Sequence, residues 1–151
     1  MRDWTFPIDG ECRCARVKMR ITAPPLITMA CHCRGCQRMT GSAYSLSVAV
    51  PSDGFTVREG TPVIGGLHGE LRHFFCGYCM SWMFTRVPGM DWFVNVRAAL
   101  LEGAGRFAPF IETCTREKLP WATTPAVHGY ESFPAPADFP RLIEAYARAP
   151  A

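Results

Sequence analysis

The sequence contains no apolar run near the roughly 20 residues needed to cross a bilayer as a helix. It also lacks an apolar signal-peptide core at its start, which reads Met1-Arg2-Asp3-Trp4-Thr5. These absences argue against a membrane partner and make the cytoplasm the expected location. There is little charge of one sign: 16 basic against 13 acidic residues leave a net charge of +3. That excess is too small for a nucleic-acid interface, and the basic residues are scattered. Uninterrupted stretches that could form long helices are also scarce, because 13 prolines and 13 glycines punctuate the 151 residues. Short strands joined by turns are expected instead.

What remains is enough for a core. Hydrophobic residues make up 48% of the chain, and a chain of this length buries roughly 70% of its unfolded surface. No internal boundary is visible, so residues 1–151 read as a single domain. Alternation marks Arg13–Thr22 as a strand, with Val17, Met19 and Ile21 on one side. Further strands are expected at 26–33, 44–50, 55–58, 71–75, 81–85, 92–96 and 107–113. A short helix is expected over Arg34–Thr40, stopped by Gly41. A second is expected over Pro140–Ala149, where Leu142, Ile143 and Tyr146 share a face. The aromatic residues Trp82, Phe84, Trp92 and Phe93 read as core.

Seven of the eight cysteines are clustered: Cys12 and Cys14, then Cys31, Cys33 and Cys36, then Cys76 and Cys79. In a reducing compartment such spacing suits a metal better than disulfides. Sulfurs this crowded also cannot form three strain-free bridges. Zinc takes thiolates in a tetrahedron; structural sites are closed, whereas catalytic ones keep a position open. Seven ligands divide into four plus three. Cys12 and Cys14, read as one face of a strand, pair naturally with the Cys76-Gly-Tyr-Cys79 turn. Cys31 and Cys33 on one strand face, with His32 opposite and Cys36 following through Gly35, make a local three-sulfur claw. A distant fourth ligand could come from Cys114, His68, His73 or His128. Spacing equally allows Cys12, Cys14, Cys31 and Cys33 to form one continuous ribbon site, leaving Cys36, Cys76 and Cys79 open.

The order C-x-C, then Cys31-His-Cys-Arg-Gly-Cys-Gln-Arg-Met-Thr-Gly-Ser42, then Phe75-Cys-Gly-Tyr-Cys79, resembles the glutathione-dependent formaldehyde-activating (CENP-V/GFA) family. Leu119-Pro120-Trp121 is similar to that family's C-terminal segment. The resemblance implies a mainly β, Mss4-like β-tent of short antiparallel strands with two zinc ions. It implies that Cys12, Cys14, Cys76 and Cys79 hold a structural zinc and that Cys31, Cys33 and Cys36 hold a catalytic one. It departs at Met80-Ser81, where the family has Gly-Ser; a non-glycine residue there strains the turn by about 1 kcal/mol.

The implied activity is that of a carbon–sulfur lyase of the S-(hydroxymethyl)glutathione synthase type, with a small thiol such as glutathione and an aldehyde as partners. A three-thiolate zinc centre is formally anionic and so suits an incoming soft thiol better than it suits hydroxide. Arg34 and Arg38 are candidates for holding a glutathione carboxylate, and Gly41 and Ser42 for lining the cleft. The plainer reading is two solvated arginines on a short helix, then a helix stop and a turn. The rival from another class is a non-catalytic zinc module for protein interaction on the same fold.

Overall fold

Alternation of buried and half-buried residues shapes the strands that meet at the centre of the protein. In a computed structural model, which describes residues 1–66 and 69–150, β2 (Lys18–Ile21) buries Met19 and Ile21 on one face. It is flanked by β1 (Ile8–Glu11) and β5 (Phe55–Glu59) in a three-stranded antiparallel sheet. The second sheet has eight strands. These are β3 (Ile27–Cys31), β4 (Ser45–Pro51), β6 (Pro62–Gly65), β7 (Arg72–Cys76), β8 (Trp82–Arg86), β9 (Phe93–Arg97), β10 (Ile111–Thr113) and β11 (His128–Gly129). Their order across the sheet is β11-β10-β3-β4-β9-β8-β7-β6. The ladders from β3 to β6 are antiparallel, whereas β10 runs parallel to both β3 and β11.

One face of the large sheet is apolar. Val48 and Val50 of β4 stand opposite Val96 and Val94 of β9, and all four are buried with Met19, Ile21, Phe55 and Phe84 between the two sheets. The other face changes character along the strands. At one end Ile27, Ala49 and Phe110 pack under α2 (Phe139–Arg148), whose buried residues are Leu142 and Tyr146. Further along, the same face carries Ser45 and Ser47 of β4, Asn95 and Arg97 of β9, and Thr85 and His73. Residues at i and i+2 of a strand share a face, so this is a continuous polar strip. It leads to Cys31, which pairs with Ser45.

The expected mainly β architecture and both helices are present. Helix α1 spans Arg34–Thr40, and Gly41 terminates it in the left-handed conformation (φ 61°) while donating its N–H to the Gln37 carbonyl. Several boundaries differ. The strand expected over 13–22 is confined to Lys18–Ile21, because Cys12–Arg16 is a turn. The strand expected over 107–113 holds only Ile111–Thr113. Strands β1, β6 and β11 are additional. Trp92 is 58% exposed rather than core, since it precedes β9 at the sheet's rim. Gly10 in β1 is required by a close approach: a Cβ there would lie 2.8 Å from the Leu100 carbonyl oxygen. Among the described residues no helix is long and apolar enough to cross a membrane.

Candidate metal centres

Two tight turns bring the first four sulfurs together. Cys12 follows β1 directly, and its backbone N–H bonds to the Val17 carbonyl at 3.0 Å, while Ala15 N–H returns to the Cys12 carbonyl at 2.9 Å. The second turn runs from Cys76, the last residue of β7. Its N–H bonds to the Ser81 carbonyl, and Met80 N–H bonds to the Cys76 carbonyl, both at 3.0 Å. Each turn reverses through a left-handed residue directly after its second cysteine, Ala15 (φ 61°) and Met80 (φ 57°). Neither Cys12 nor Cys14 therefore lies on a strand. Their sulfurs converge because the turn curls, not because of strand alternation. Ser81 ties the turns together: its hydroxyl accepts from Arg13 N–H at 3.1 Å and lies 3.2 Å from Cys79 Sγ.

The sulfurs of Cys12, Cys14, Cys76 and Cys79 all lie within 4.8 Å of one another. Cys12 and Cys14 are 3.6 Å apart, and Cys14 and Cys76 are 3.7 Å apart. A tetrahedron with zinc–sulfur distances of about 2.3 Å has edges of about 3.8 Å, so this donor set fits that ion. The Ser81 hydroxyl next to Cys79 holds its thiol down to about 5, favouring the thiolate a metal requires.

Met80 is more than half exposed, and a side chain in the left-handed region costs about 1–2 kcal/mol. Met80→Gly should therefore stabilise the metal-loaded protein by about 1 kcal/mol, raising the melting temperature by roughly 2–4 °C. A calorimetric scan checks this.

The second group is the claw. Cys31 ends β3, Cys33 caps α1 with its Sγ accepting from Cys36 N–H at 3.3 Å, and Cys36 sits in the first turn of α1. These three sulfurs also lie within 4.8 Å of one another. Cys33 belongs to the helix cap and not to the strand face assigned to it above. The Ser45 hydroxyl donates to Cys36 Sγ at 3.0 Å. The Cys36 thiol donates to Cys31 and holds it down to about 5, and the same contact pushes Cys36 up.

Several residues that sequence reasoning did not single out hold the claw in shape. Buried Gln37 donates both amide protons, to the His32 carbonyl at 2.7 Å and to the Glu117 carbonyl at 2.9 Å. His32 points away from the sulfurs, as expected, with Nε2 3.0 Å from Glu112 Oε1. Glu112 also receives Lys118 Nζ and the Thr124 hydroxyl, both at 2.8 Å.

Of the four distant ligand candidates, Cys114 lies beside Cys31. Burial, then the Cys31 charge, pushes its thiol up to about 12. It does not join the mutual group of three. His73 is bonded to Thr85 at 2.8 Å and His128 packs its ring edge on Phe110, so neither is at the claw. His68 lies outside the described residues. Arg34 and Arg38 are exposed on α1, and the Arg34 guanidinium donates to Gln37 Oε1. Gly41 and Ser42 are exposed at the end of that helix.

The sulfurs thus gather as four plus three, and Cys12 and Cys14 are not grouped with Cys31 and Cys33 as the ribbon pairing requires. The family model for "Glutathione-dependent formaldehyde-activating enzyme" matches residues 7–117, well over half of the chain, and includes all seven clustered cysteines. The chain belongs to this family. Among solved structures, a crystal structure of a Rhodobacter sphaeroides protein, a structural-genomics target, is similar in fold. It is 19% identical with a TM-score of 0.53, covering 63% of this chain and 88% of that one. Comparison with the curated proteins finds no match. Membership of the glutathione-dependent formaldehyde-activating family points to glutathione and formaldehyde chemistry, and both cysteine groups could hold a metal ion.

Proposed function

We propose that this protein is a zinc-dependent carbon–sulfur lyase acting on glutathione–formaldehyde adducts of the S-hydroxymethylglutathione type. In this reading Cys12, Cys14, Cys76 and Cys79 hold a structural zinc, and Cys31, Cys33 and Cys36 hold a catalytic one. The observation that carries the proposal is the claw itself. Three protein sulfurs lie within 4.8 Å of one another, and among the described residues no fourth donor joins their group. Zinc bound there would supply a soft Lewis acid that accepts a thiol and favours its thiolate form.

In the synthetic direction the sulfur of glutathione adds to the carbonyl carbon of formaldehyde. A C–S bond forms, the carbonyl π pair moves to oxygen, and the proton lost from sulfur ends on that oxygen. The reverse reaction breaks the C–S bond and returns the proton to sulfur. The chain's contribution is orientation. Ser45 fixes Cys36, the Cys36 N–H fixes Cys33, and Gln37 locks the backbone between Cys31 and α1. Arg34 and Arg38 place positive charge on the exposed side of α1, where one carboxylate of glutathione can be held. Gly41 and Ser42 would line the same edge.

The test is exchange spectroscopy by NMR at equilibrium, since glutathione and formaldehyde also combine without a catalyst. Protein purified without chelator should contain two zinc ions per chain and should exchange free and adduct glutathione faster than a protein-free control. A rate equal to that control, with both metals present, overturns the reading in favour of a non-catalytic zinc module.

A further inference from the structure

Arg97 is the most deeply buried charged side chain on the polar strip of the large sheet. It is 9% exposed, and its Nε is fully buried without a hydrogen-bond partner. Its guanidinium carbon lies 3.9 Å above the Trp82 ring, so one face of the planar group is stacked. Two residues earlier on the same strand, the side-chain carbonyl oxygen of Asn95 is likewise buried and unpartnered. Buried polar atoms without partners are rare and costly. Here a donor and an acceptor occur together, on one face of β9.

The surroundings match a polar ligand and not a dry core. Ser47 stands directly opposite Arg97 on β4, and Asn95 stands opposite Thr85, which in turn contacts His73 and the indole N–H of Trp82. Ser45, on the same face as Ser47, bonds Cys36 of the claw. The strip therefore runs from the claw to Arg97. The thiols of Cys36 and Cys31 are close enough to act electrostatically on Arg97, while burial pushes its guanidinium down to about 10.

We propose that Arg97 and Asn95 form a recognition subsite for a thiol peptide, Arg97 gripping a carboxylate and Asn95 accepting an N–H while the ligand's sulfur reaches the claw. This deepens the lyase reading and rests on it for the location of the sulfur. A planar, stacked guanidinium suits bidentate capture of a carboxylate. An uncharged small thiol would leave both groups unpaired. The subsite thus selects carboxylate-bearing thiol peptides over simple thiols.

S-Methylglutathione and its diethyl ester test this on the zinc-loaded full chain. Neither carries a free thiol, so binding is read by titration calorimetry without turnover. The acid should bind about 10- to 100-fold more tightly than the ester, the scale of one charge-assisted contact. Arg97→Met should reduce that ratio about 10-fold or more, to what Arg34 and Arg38 alone contribute at the other carboxylate. Equal binding of acid and ester by the wild type, or an unchanged ratio in Arg97→Met, overturns the assignment. Should Arg97→Met fail to fold, Arg97→Lys carries the test. It keeps the positive charge that would balance the thiolates and loses the planar fork, so an undiminished ratio in it also overturns the assignment. Acid selectivity that Arg97→Met diminishes, without exchange catalysis, would keep the subsite and remove the lyase reading; exchange without acid selectivity would do the reverse.

Discussion

Cys79→Ser is expected to yield insoluble or loosely packed protein. The four-sulfur group joins the turn after β1 to the turn after β7, 62 residues apart at Cys14 and Cys76. It therefore links the three-stranded sheet to the far half of the eight-stranded one. Metal affinity at a closed thiolate site is folding free energy, of order 10 kcal/mol in small zinc domains. Whole domains are stable by only about 5–15 kcal/mol. Cys79 also contacts Ser81, whose hydroxyl receives the Arg13 N–H from the opposite turn. Loss of that ligand weakens the metal and the hydrogen-bonded seam together. Expression solubility, a thermal melt and zinc analysis of Cys79→Ser check the outcome. A cooperative melt near that of the wild type would show that the four-sulfur group does not staple the fold.

Local rules were legible where one residue type decides the geometry. Gly41 alone accepts the left-handed cap that ends α1, so that helix reads correctly to the residue. The alternating apolar residues of β2, β4 and β9 mark the face that meets the small sheet. The turns carrying Cys12, Cys14 and Cys33 were less legible. Converging sulfurs at i and i+2 are produced equally by a strand and by a curled turn, and the sequence does not distinguish them. Strands β1, β6 and β11 are only two to four residues long. All three also contain a Pro or Gly, which ordinarily argues against a strand.

Which four of the seven sulfurs group together was legible from motif resemblance but not from spacing, which gave only a division into four and three. It depends on which turns the sheet topology places side by side. Gln37, on α1, and Glu112, which pairs with Ala30 on the face of the sheet opposite Cys31, carry no motif that marks them, and Arg97 escaped notice for a different reason. A polar residue in the alternate phase of a strand reads as solvent-facing. Here that phase looks into a covered polar strip, and only the pairing of β4 with β9 reveals it. The three are the polar groups that frame the claw: Gln37 fixes its backbone, Glu112 holds His32, and Arg97 stands on the strip within electrostatic range of Cys31 and Cys36.

Cys36→Ser should behave in the opposite way to Cys79→Ser. The fold should survive, one zinc should remain per chain, and exchange of glutathione with its formaldehyde adduct should fall to the protein-free rate. The claw is assembled from residues within one short segment, so its metal crosslinks little of the chain. Its backbone is held independently by Gln37, by the Gly41 cap and by the Cys33 N-cap. Serine in place of Cys36 keeps a polar group for the Ser45 hydroxyl but offers a hard, protonated oxygen where a soft thiolate is needed. Removing a ligand from a three-ligand centre leaves two, too few to hold the ion. A melting temperature within a few degrees of the wild type, with half the zinc and background exchange, is the expected result. Damage equal to or greater than that of Cys79→Ser would mean that the claw, and not the four-sulfur group, carries the fold. Full exchange activity with one zinc lost would move the chemistry away from Cys31, Cys33 and Cys36 altogether.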